Sequence, residues 1–333
     1  MTNSSRKLEH LRICIEKDVE TRKAGFENFK LIHKILPEND FNEIDTKINF
    51  LGKKLDYPII IEGMTGGVPA AKKINRELAG IAEEFKIGFG VGSQRAAIDD
   101  VTLAETYYVR DVAPDILLIS NLGAVQLNYG YGAPECKKAV EMIKADAIAL
   151  HLNPLQECVQ DEGNRNFSNL IEKINKVSDE LKRDNIPVIA KGISTGISQD
   201  IAKRLNVAAI DTGGVGGTSW AKIEGYRENG NPKIGELFSD WGIPTAECVA
   251  GLSGIKKPVI ASGGVRTGIE AAKSIALGAD CVGMALPFLR AGVSGGKDGV
   301  RKFLNNFIRE LKIAMFLTGS KRVGDLKGKA VKL

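Results

Sequence analysis

The sequence predicts an α/β fold: a (β/α)8 TIM barrel with an N-terminal extension and a C-terminal helix. Three observations support this fold class. From about residue 56 onward, the chain repeats a short apolar run, a small or polar residue, and a segment with apolar residues at helical spacing. Eight such units fill roughly 240 residues, which is the size of a (β/α)8 barrel. The runs are continuously apolar, as expected for parallel strands that are covered by helices.

The candidate strands are Ile59–Ile61, Ile87–Val91, Ile116–Ser120, Ala147–Leu150, Val188–Ala190, Val207–Ile210, Val259–Ala261 and Cys281–Ala285. The segments between them carry helical patterns, as from Ile74 to Phe85. A doubly wound open sheet is the alternative architecture. Such a sheet normally has a glycine fingerprint after its first strand, and the sequence GMTGG at 63–67 does not match it.

The chain divides into three predicted parts. Residues 1–55 form an N-terminal extension and barrel cap, residues 56–320 form the catalytic barrel, and residues 321–333 form a basic C-terminal tail. In the extension, the segments 44–46 and 48–51 indicate a short hairpin that caps the barrel floor. The segment from Val300 to Leu317 has the pattern of a strong amphipathic helix. We expect the end of the basic tail to be mobile, as chain ends commonly are.

Composition narrows the possible partners. The net charge of +5 is spread along the 333 residues without a basic block, which argues against a nucleic-acid partner and suits a small anionic substrate. The five cysteines are scattered and form no CxxC pair, so we expect reduced thiols in a cytoplasmic protein. No apolar run approaches the ~20 residues of a membrane span, and the N-terminus lacks the apolar core of a signal peptide.

Polar side chains follow the fourth candidate strand directly. His151, Asn153, Gln156 and Glu157 come within seven residues of its apolar run. An imidazole, two carboxamides and a carboxylate can together hold a phosphate, move a proton and ligate a hard metal ion. Because reactive groups of this fold lie at the carboxyl ends of the strands, these four residues predict its catalytic face.

Two neighbouring loops predict a phosphate site. The segments 262–266 (SGGVR) and 283–285 (GMA) follow the last two strands and have the glycines that let backbone N–H groups approach an anion. Other strand ends offer small polar groups and one cation: Met64, Thr65, Ser93, Asn121 and Lys191. A flat cofactor with a phosphate tail fits this set, and flavin mononucleotide (FMN) is the natural candidate. Lys191 could then stabilise the anionic reduced ring. The glycine-rich segment 211–220 is either a lid or a wall for the ring.

Nine motifs together resemble one family. They are RKLEH at 6–10, GMTGG, VGSQR, NLGAVQL, HLNPLQE, DTGGVGGTSW followed by IE, WGIPT, SGGVR and ALGADCVGMALP. In this order and spacing they are similar to the type 2 isopentenyl diphosphate isomerases, over residues 6 to about 322. The resemblance implies a (β/α)8 barrel with FMN and Mg2+, and a homo-oligomer, a tetramer or octamer. It also implies interconversion of isopentenyl and dimethylallyl diphosphate in isoprenoid biosynthesis. This reaction needs reduced flavin, commonly supplied through NADPH, but has no net redox change.

The resemblance also assigns site residues. The flavin-contacting positions are Met64, Thr65, Ser93, Asn121, Lys191, Gly213, Thr218, Gly264, Arg266, Ala285 and Leu286. The residues that grip the substrate diphosphate are Arg6, Lys7, Ser93, Arg95, His151 and Asn153, with Gln156 near the reacting carbons. Glu157 holds Mg2+. The expected catalytic set is Gln156, His151, Lys191 and Glu224. Roles for Arg6 and Lys7 require the N-terminus to fold over the barrel mouth.

The chain departs from the family pattern at two places. Lys191 is followed by Gly192 where the family usually has glutamate, which removes a carboxylate that could orient the lysine. Near Glu162, the chain has Asp161 and Asn164 where a proline and an aspartate are usual.

Two other functions stay open at this point. An FMN-dependent barrel oxidoreductase acting on a small anionic substrate would share the phosphate site and Lys191. It would not need Gln156, Glu157 or a cationic N-terminus. A barrel that has lost catalysis and serves as a binding subunit is the third possibility, and it would take up no flavin.

Overall fold

The computed structural model describes residues 3–333, and side chains from Arg6 onward. The first two residues of the predicted extension lie outside this part. The extension begins with helix α1 (Asn3–Glu16) and continues through a single 3-10 turn (Phe26–Asn28) into strand β1 (Phe29–Leu31). After a second 3-10 turn (Phe41–Glu43), strands β2 (Ile48–Phe50) and β3 (Lys53–Leu55) form an antiparallel hairpin. The predicted pairing of 44–46 with 48–51 is wrong, because 48–50 pairs with the segment that follows it.

A closed barrel of parallel strands follows. Its strands are β4 (Ile59–Ile61), β5 (Gly88–Gly90), β6 (Leu118–Gly123), β7 (Ala147–Leu152), β8 (Val188–Gly192), β9 (Ala209–Asp211), β10 (Val259–Ser262) and β11 (Cys281–Met284). Each pairs with its neighbour in sequence, and β11 pairs with β4 to close the ring. The predicted fold class is therefore confirmed, and the open-sheet alternative is wrong. The third and sixth strands lie about two residues later than predicted, since their apolar runs begin in the preceding turn.

Helices cover the outside of the barrel. They are α2 (Pro69–Phe85), α3 (Arg95–Asp99), α4 (Ala133–Ile143), α5 (Pro154–Val159), α6 (Leu170–Lys182), α7 (Gln199–Arg204), α8 (Trp220–Gly225), α9 (Pro232–Leu237), α10 (Thr245–Gly251), α11 (Gly268–Ala276) and α12 (Leu286–Leu317). Three 3-10 segments accompany them: Val101–Thr106, Ala124–Asn128 and Val323–Leu326. Helix α11 begins with a capping box formed by Thr267 and Glu270. Helix α12 is kinked at Gly296, where φ is 58°, and its second half contains the helix predicted from Val300 to Leu317.

The barrel interior has an apolar floor and a polar top. Phe50 and Leu55 of the hairpin pack against inward-facing side chains of the strands, among them Ile60 and Ile189, and so close the floor. Polar side chains replace apolar ones toward the carboxyl ends of the strands, where Asn121, Lys191 and Asp211 are all buried. The site therefore lies at the end of the barrel opposite the hairpin.

The basic tail is ordered. Strand β12 (Ala330–Lys332) pairs antiparallel with β1, so that Phe29 lies opposite Lys332. The expectation of a mobile tail end is therefore wrong, because the last residues complete a two-stranded sheet with the extension. In the described part of the chain, the helices are all too short or too polar to cross a bilayer.

Candidate active site

The carboxyl ends of the barrel strands and helix α1 enclose a cavity of about 210 Å³. Most of the predicted site residues line it: Arg6, Lys7, Met64, Thr65, Ser93, Arg95, Asn121, His151, Asn153, Gln156, Glu157, Thr218, Ala285 and Leu286. Five predicted residues lie outside this lining: Lys191, Gly213, Glu224, Gly264 and Arg266. The structure thus brings the predicted anion-binding residues and seven of the eleven predicted flavin positions onto one cavity.

Helix α1 lies across the barrel mouth. Its apolar face packs Leu11 and Ile13 into a cluster with Ile223 and Leu289. Lys7 donates to the carbonyl oxygen of Ser93 over 2.9 Å and also contacts the hydroxyl of Tyr107. Burial and the neighbouring Arg6 lower the pKa of Lys7 to about 7. An arriving phosphate would offset both effects, so this buried amine is suited to an anionic ligand.

His151 is held in one orientation by Asn121. The Nδ2 of Asn121 donates to the carbonyl oxygen of Val91, which leaves its Oδ1 facing Nδ1 of His151 at 2.8 Å. Because this oxygen can only accept, Nδ1 carries the proton of the neutral ring. Burial, together with the charges of Lys191 and Lys7, lowers the pKa of His151 to about 4. The free site therefore presents a neutral imidazole at pH 7.

The start of helix α5 carries the amides and the carboxylate. Asn153 is its N-cap residue, and its Nδ2 donates to Gln156 Oε1 over 3.0 Å and to Glu157 Oε1 over 2.9 Å. The second oxygen of Glu157 accepts from the backbone N–H of Asn164 over 2.6 Å. These bonds fix the Glu157 carboxylate toward the cavity that it lines. Position 164, where the chain departs from the family pattern, thus contributes its backbone N–H to the site. The identity of its side chain does not alter this contact.

Glu224 lies behind Gln156 and orients it. Gln156 Nε2 donates to Glu224 Oε1 over 2.9 Å, and Arg227 donates to Glu224 Oε2 over 2.9 Å. His10 Nε2 lies 3.1 Å from Glu224 Oε1, and the His10 ring meets the ring of Trp220 edge-on. Burial alone would raise the pKa of Glu224, but the bonds from His10, Gln156 and Arg227 lower it. Glu224 therefore favours the ionised form, which suits an orienting acceptor better than a proton donor.

Lys191 points into a buried cluster of carboxylates. Its Nζ donates to Glu62 Oε2 over 2.7 Å and also contacts Asp211. Burial would lower the pKa of Lys191, but the charges of Asp211 and Glu62 outweigh burial and raise it. Gly192 leaves no space for a side chain, because a Cβ there would overlap the carbonyl oxygen of Thr212. Two carboxylates thus hold Lys191 although the residue after it is glycine.

The first predicted phosphate loop, 262–266, packs against the glycine-rich segment. Gly263 and Gly264 have φ values of 99° and 93°, which glycine adopts without strain. The segment 213–217 packs closely on the loop 262–266, and a Cβ at Gly217 would overlap the backbone nitrogen of Gly264. The glycine-rich segment is therefore part of the packed structure, not a free lid. The last residue of the loop 262–266, Arg266, is also held in place, because its Nε donates to Glu20 over 2.7 Å.

Several site residues carried no decisive sequence signal. His10 lies in the RKLEH motif, but only its position beside Glu224 shows what it contacts. No motif predicts the contacts that Tyr107, Glu62 and Asp211 make with lysines from distant segments, although Asp211 begins the DTGGVGGTSW motif. These pairings join residues at least 20 positions apart, so helix or strand periodicity could not have indicated them.

Two features test whether the site suits a flavin and a metal. Thr65 Oγ1 and Asn153 Oδ1 are buried and have no hydrogen-bond partner among the described residues, as expected where a ligand completes the site. Met64, Ala285 and Leu286 give the same cavity an apolar side. In the described part of the chain, no three His, Cys, Asp or Glu residues converge into a metal cluster. A single carboxylate fits only Mg2+ that keeps waters and phosphate oxygens as its other ligands.

The fold and the site define a class, the flavin-type (β/α)8 barrels. Residues 138–333 match the family model described as FMN-dependent dehydrogenase. Among solved structures, a flavocytochrome b2 variant has a TM-score of 0.67 at 17% identity, covering 97% of this chain and 82% of that chain. A lactate oxidase of Pediococcus acidilactici has a TM-score of 0.65 at 19% identity, covering 98% of this chain and 91% of that chain. These structures support the barrel fold alone.

Curated relatives identify the family within this class. An isopentenyl-diphosphate delta-isomerase of Archaeoglobus fulgidus is 48% identical, covering 98% of this chain and 95% of the relative. One of Nostoc sp. is 47% identical, covering 97% of this chain and 94% of the relative. The chain belongs to the family of FMN-dependent, type 2 isopentenyl-diphosphate delta-isomerases, and the resemblance inferred from its motifs is confirmed.

Proposed function

We propose that this protein interconverts isopentenyl diphosphate and dimethylallyl diphosphate, with bound FMN in the reduced state and with Mg2+. One observation carries the proposal: helix α1 places Arg6 and Lys7 on the same cavity as Gln156, Glu157 and the residues expected to face a flavin. An oxidoreductase for a small anionic substrate would share the flavin-facing residues but would not need Gln156, Glu157 or a cationic N-terminus. Relatives named for the isomerase support the same reading.

FMN would lie against Met64, Thr65, Ser93, Asn121, Thr218, Ala285 and Leu286, which line the cavity. Its phosphate would lie toward the loops that carry Gly264 and Arg266. When reduced, the bound flavin supplies an electron-rich ring that can stabilise positive charge on the alkene and exchange a proton with it. The resemblance to the family also leads us to infer NADPH as the reductant and a tetramer or octamer as the assembly.

The substrate diphosphate would be gripped by cations and by Mg2+. Arg6, Lys7 and Arg95 line the cavity, with Asn153 beside them. Glu157 would take one Mg2+ position, leaving the others to phosphate oxygens and water. This anchor does not react, and its role is to use remote binding energy to hold the alkene in place.

Gln156 and Glu224 would orient the reacting end. Glu224 accepts from Gln156, so the carboxamide of Gln156 is fixed where it lines the cavity. Because Glu224 favours the carboxylate form, it is poorly suited to protonate an unactivated alkene. The described side chains of this network would therefore position the substrate rather than supply the proton.

Deuterium incorporation tests the proposal. FMN-loaded, chemically reduced enzyme is incubated with isopentenyl diphosphate and Mg2+ in deuterated water, and the products are followed by NMR and mass spectrometry. We expect dimethylallyl diphosphate with deuterium at carbon, and no product when the enzyme is oxidised or Mg2+ is chelated. A saturated product formed with net oxidation of the flavin would favour the oxidoreductase. Protein that never takes up FMN would favour a non-catalytic barrel.

A further inference from the structure

Three buried ionisable groups meet at the top of the barrel. Glu62, Lys191 and Asp211 are 7%, 6% and 1% exposed, and both carboxylates contact the same ammonium group. With every group ionised, this cluster carries one uncompensated negative charge. An unpaired charge is strongly disfavoured in such surroundings, and buried groups commonly avoid it by binding a proton.

The geometry distinguishes the two carboxylates. Asp211 has both oxygens engaged, one by Lys191 and the other by the hydroxyl of Ser262. Glu62 uses only Oε2, and its buried Oε1 has no partner among the described residues. Gly283 provides the space for this oxygen, since a Cβ there would overlap it. Glu62 is thus the carboxylate with a free oxygen that a proton could occupy.

The surrounding charges favour a proton on Glu62. Burial and the nearby Asp211 raise the pKa of Glu62, while Lys191 opposes them. From β11, the thiol of Cys281 adjoins the same cluster, and its pKa is raised well above the usual range by burial and by Asp280, Glu62 and Asp211. The charge of Lys191 also reaches His151 on β7.

The cluster is directly connected to the proposed cofactor site. Gly63 and Met64, the two residues after Glu62, line the cavity, and His151 lies beside Lys191 in the paired strands β7 and β8. A negative charge that forms at the cavity therefore acts on the cluster through Lys191. In surroundings of low polarity, such a charge favours protonation of a nearby carboxylate.

We propose that Glu62 is a positioning residue whose carboxylate, ionised beside oxidised flavin, takes up a proton against Lys191 and Asp211 when the bound flavin becomes anionic. This inference rests on the FMN binding proposed above. Two electrons from NADPH and one proton enter the flavin ring, and a second proton, from water, enters the Glu62 carboxylate. Glu62 thereby keeps the cluster's charge balanced and Lys191 in place, although the residue after Lys191 is Gly192.

The reduction potential of the flavin tests this proposal independently of activity. Wild type, Glu62→Gln and the control Glu105→Gln are loaded with FMN and titrated anaerobically with a reference dye at a series of pH values. Glu105 is an exposed carboxylate that pairs with Lys72, so its variant removes one charge far from the cluster. Glutamine keeps the size of Glu62 but cannot titrate, so the variant stays in the protonated-like state.

We expect a steeper pH dependence in wild type and Glu105→Gln than in Glu62→Gln. Each additional proton taken up with two electrons adds about 30 mV per pH unit, which is a tenfold change in the equilibrium constant. The difference between these slopes should appear at pH values above the pKa that Glu62 has when the flavin is oxidised. Over that pH range, wild type should consume two protons per flavin and Glu62→Gln only one, as counted in weakly buffered solution.

Other outcomes separate the two proposals. Equal slopes and equal proton counts in all three proteins, with FMN bound, would overturn the role of Glu62 and leave the isomerase proposal intact. Wild type that takes up no FMN would overturn the isomerase proposal itself. Asp211→Asn is the second variant: removing this neighbouring charge should lower the pKa of Glu62 and move the extra proton uptake to lower pH. An unmoved range would also contradict the assignment.

Discussion

At the scale of single residues, the site is built from side chains that hold one another in fixed states. Asn121 fixes the tautomer of His151, and Asn153 fixes Glu157. Burial then sets the charges, since it leaves His151 neutral and brings the pKa of Lys7 to about 7. Substrate binding should therefore change protonation as well as contacts.

His151 should gain a proton when diphosphate binds. Its pKa is about 4 in the free site, and a nearby anion raises it, so binding is tightest at low pH and weakens as pH rises toward the bound-state pKa. We expect His151→Gln to weaken substrate binding by about 10–100-fold, the value of a hydrogen bond to a charged group. Calorimetry in buffers of different ionisation enthalpy counts the protons.

The variant isolates the contribution of His151. We expect Lys7 also to take up protons on binding, but His151→Gln retains Lys7, so the difference in proton count between the two proteins reports the histidine. An identical count and identical affinity would show that His151 does not meet the diphosphate.

Glu157→Gln should remove most activity and leave the flavin spectrum unchanged. Glutamine keeps the shape but not the charge that Mg2+ requires, and we expect a loss beyond the ~10–100-fold that residues behind a metal ligand usually contribute. The measurement is the Mg2+ dependence of isomerisation. Asp161→Asn is the control, an exposed carboxylate on the loop that follows α5. Unchanged Mg2+ dependence in Glu157→Gln would contradict the assignment.

At the scale of elements, helix α1 completes the site from outside the barrel. It is attached by its apolar face and by Glu9, which accepts from the backbone of Glu228 over 2.6 Å and pairs with Arg227. The backbone that follows α1 contacts the glycine-rich segment, where the N–H of Thr21 donates to the carbonyl oxygen of Gly217. We expect the barrel to stay folded when α1 is detached, and the anion site would then lack Arg6 and Lys7.

Ile13→Ala should loosen α1 without unfolding the barrel. Ile13 is 3% exposed, and truncating such a side chain to alanine costs about 2–5 kcal/mol. Even if the free energy that holds α1 on the barrel falls by only about 1.4 kcal/mol, the fraction of molecules with α1 detached rises tenfold. We expect tryptic cleavage after Arg12 to be at least about tenfold faster and KM for the diphosphate to rise, with FMN affinity less affected.

The matched control is Ile15→Ala on the same helix, where the side chain is 37% exposed. It should change cleavage and KM little. If both variants behave alike, or if Ile13→Ala lowers FMN binding as much as substrate binding, then α1 does not act as a separate cover for the anion site.

At the scale of the whole molecule, the closed barrel separates stability from function. The apolar floor, with Phe50 and Leu55 of the hairpin, forms one end, and the polar cluster and cavity form the other. Within the described residues, α1 covers the mouth and β12 pairs with β1 of the extension, so both terminal segments are held in the fold. The buried ionisable groups therefore lie together at the mouth, where the charges of a bound cofactor and substrate can compensate their charges.

The sequence by itself determined the fold class, the order of the strands and which motifs end at the barrel mouth. Apolar periodicity and glycine positions are local properties, and they place HLNPLQE at a strand end without further information. The nine motifs in order also identified the family. These predictions succeeded because the carboxyl ends of parallel strands in a barrel must meet on one face.

Only the tertiary structure decided how the charges pair. The contacts of Lys191 with Glu62, of His10 with Glu224 and of Arg266 with Glu20 join segments far apart in the chain. Protonation states follow from the same arrangement, since burial and neighbouring charges are properties of the folded chain. The tail, expected to be mobile, is paired for the same reason: its partner strand lies about three hundred residues earlier, and closure of the barrel brings the two together.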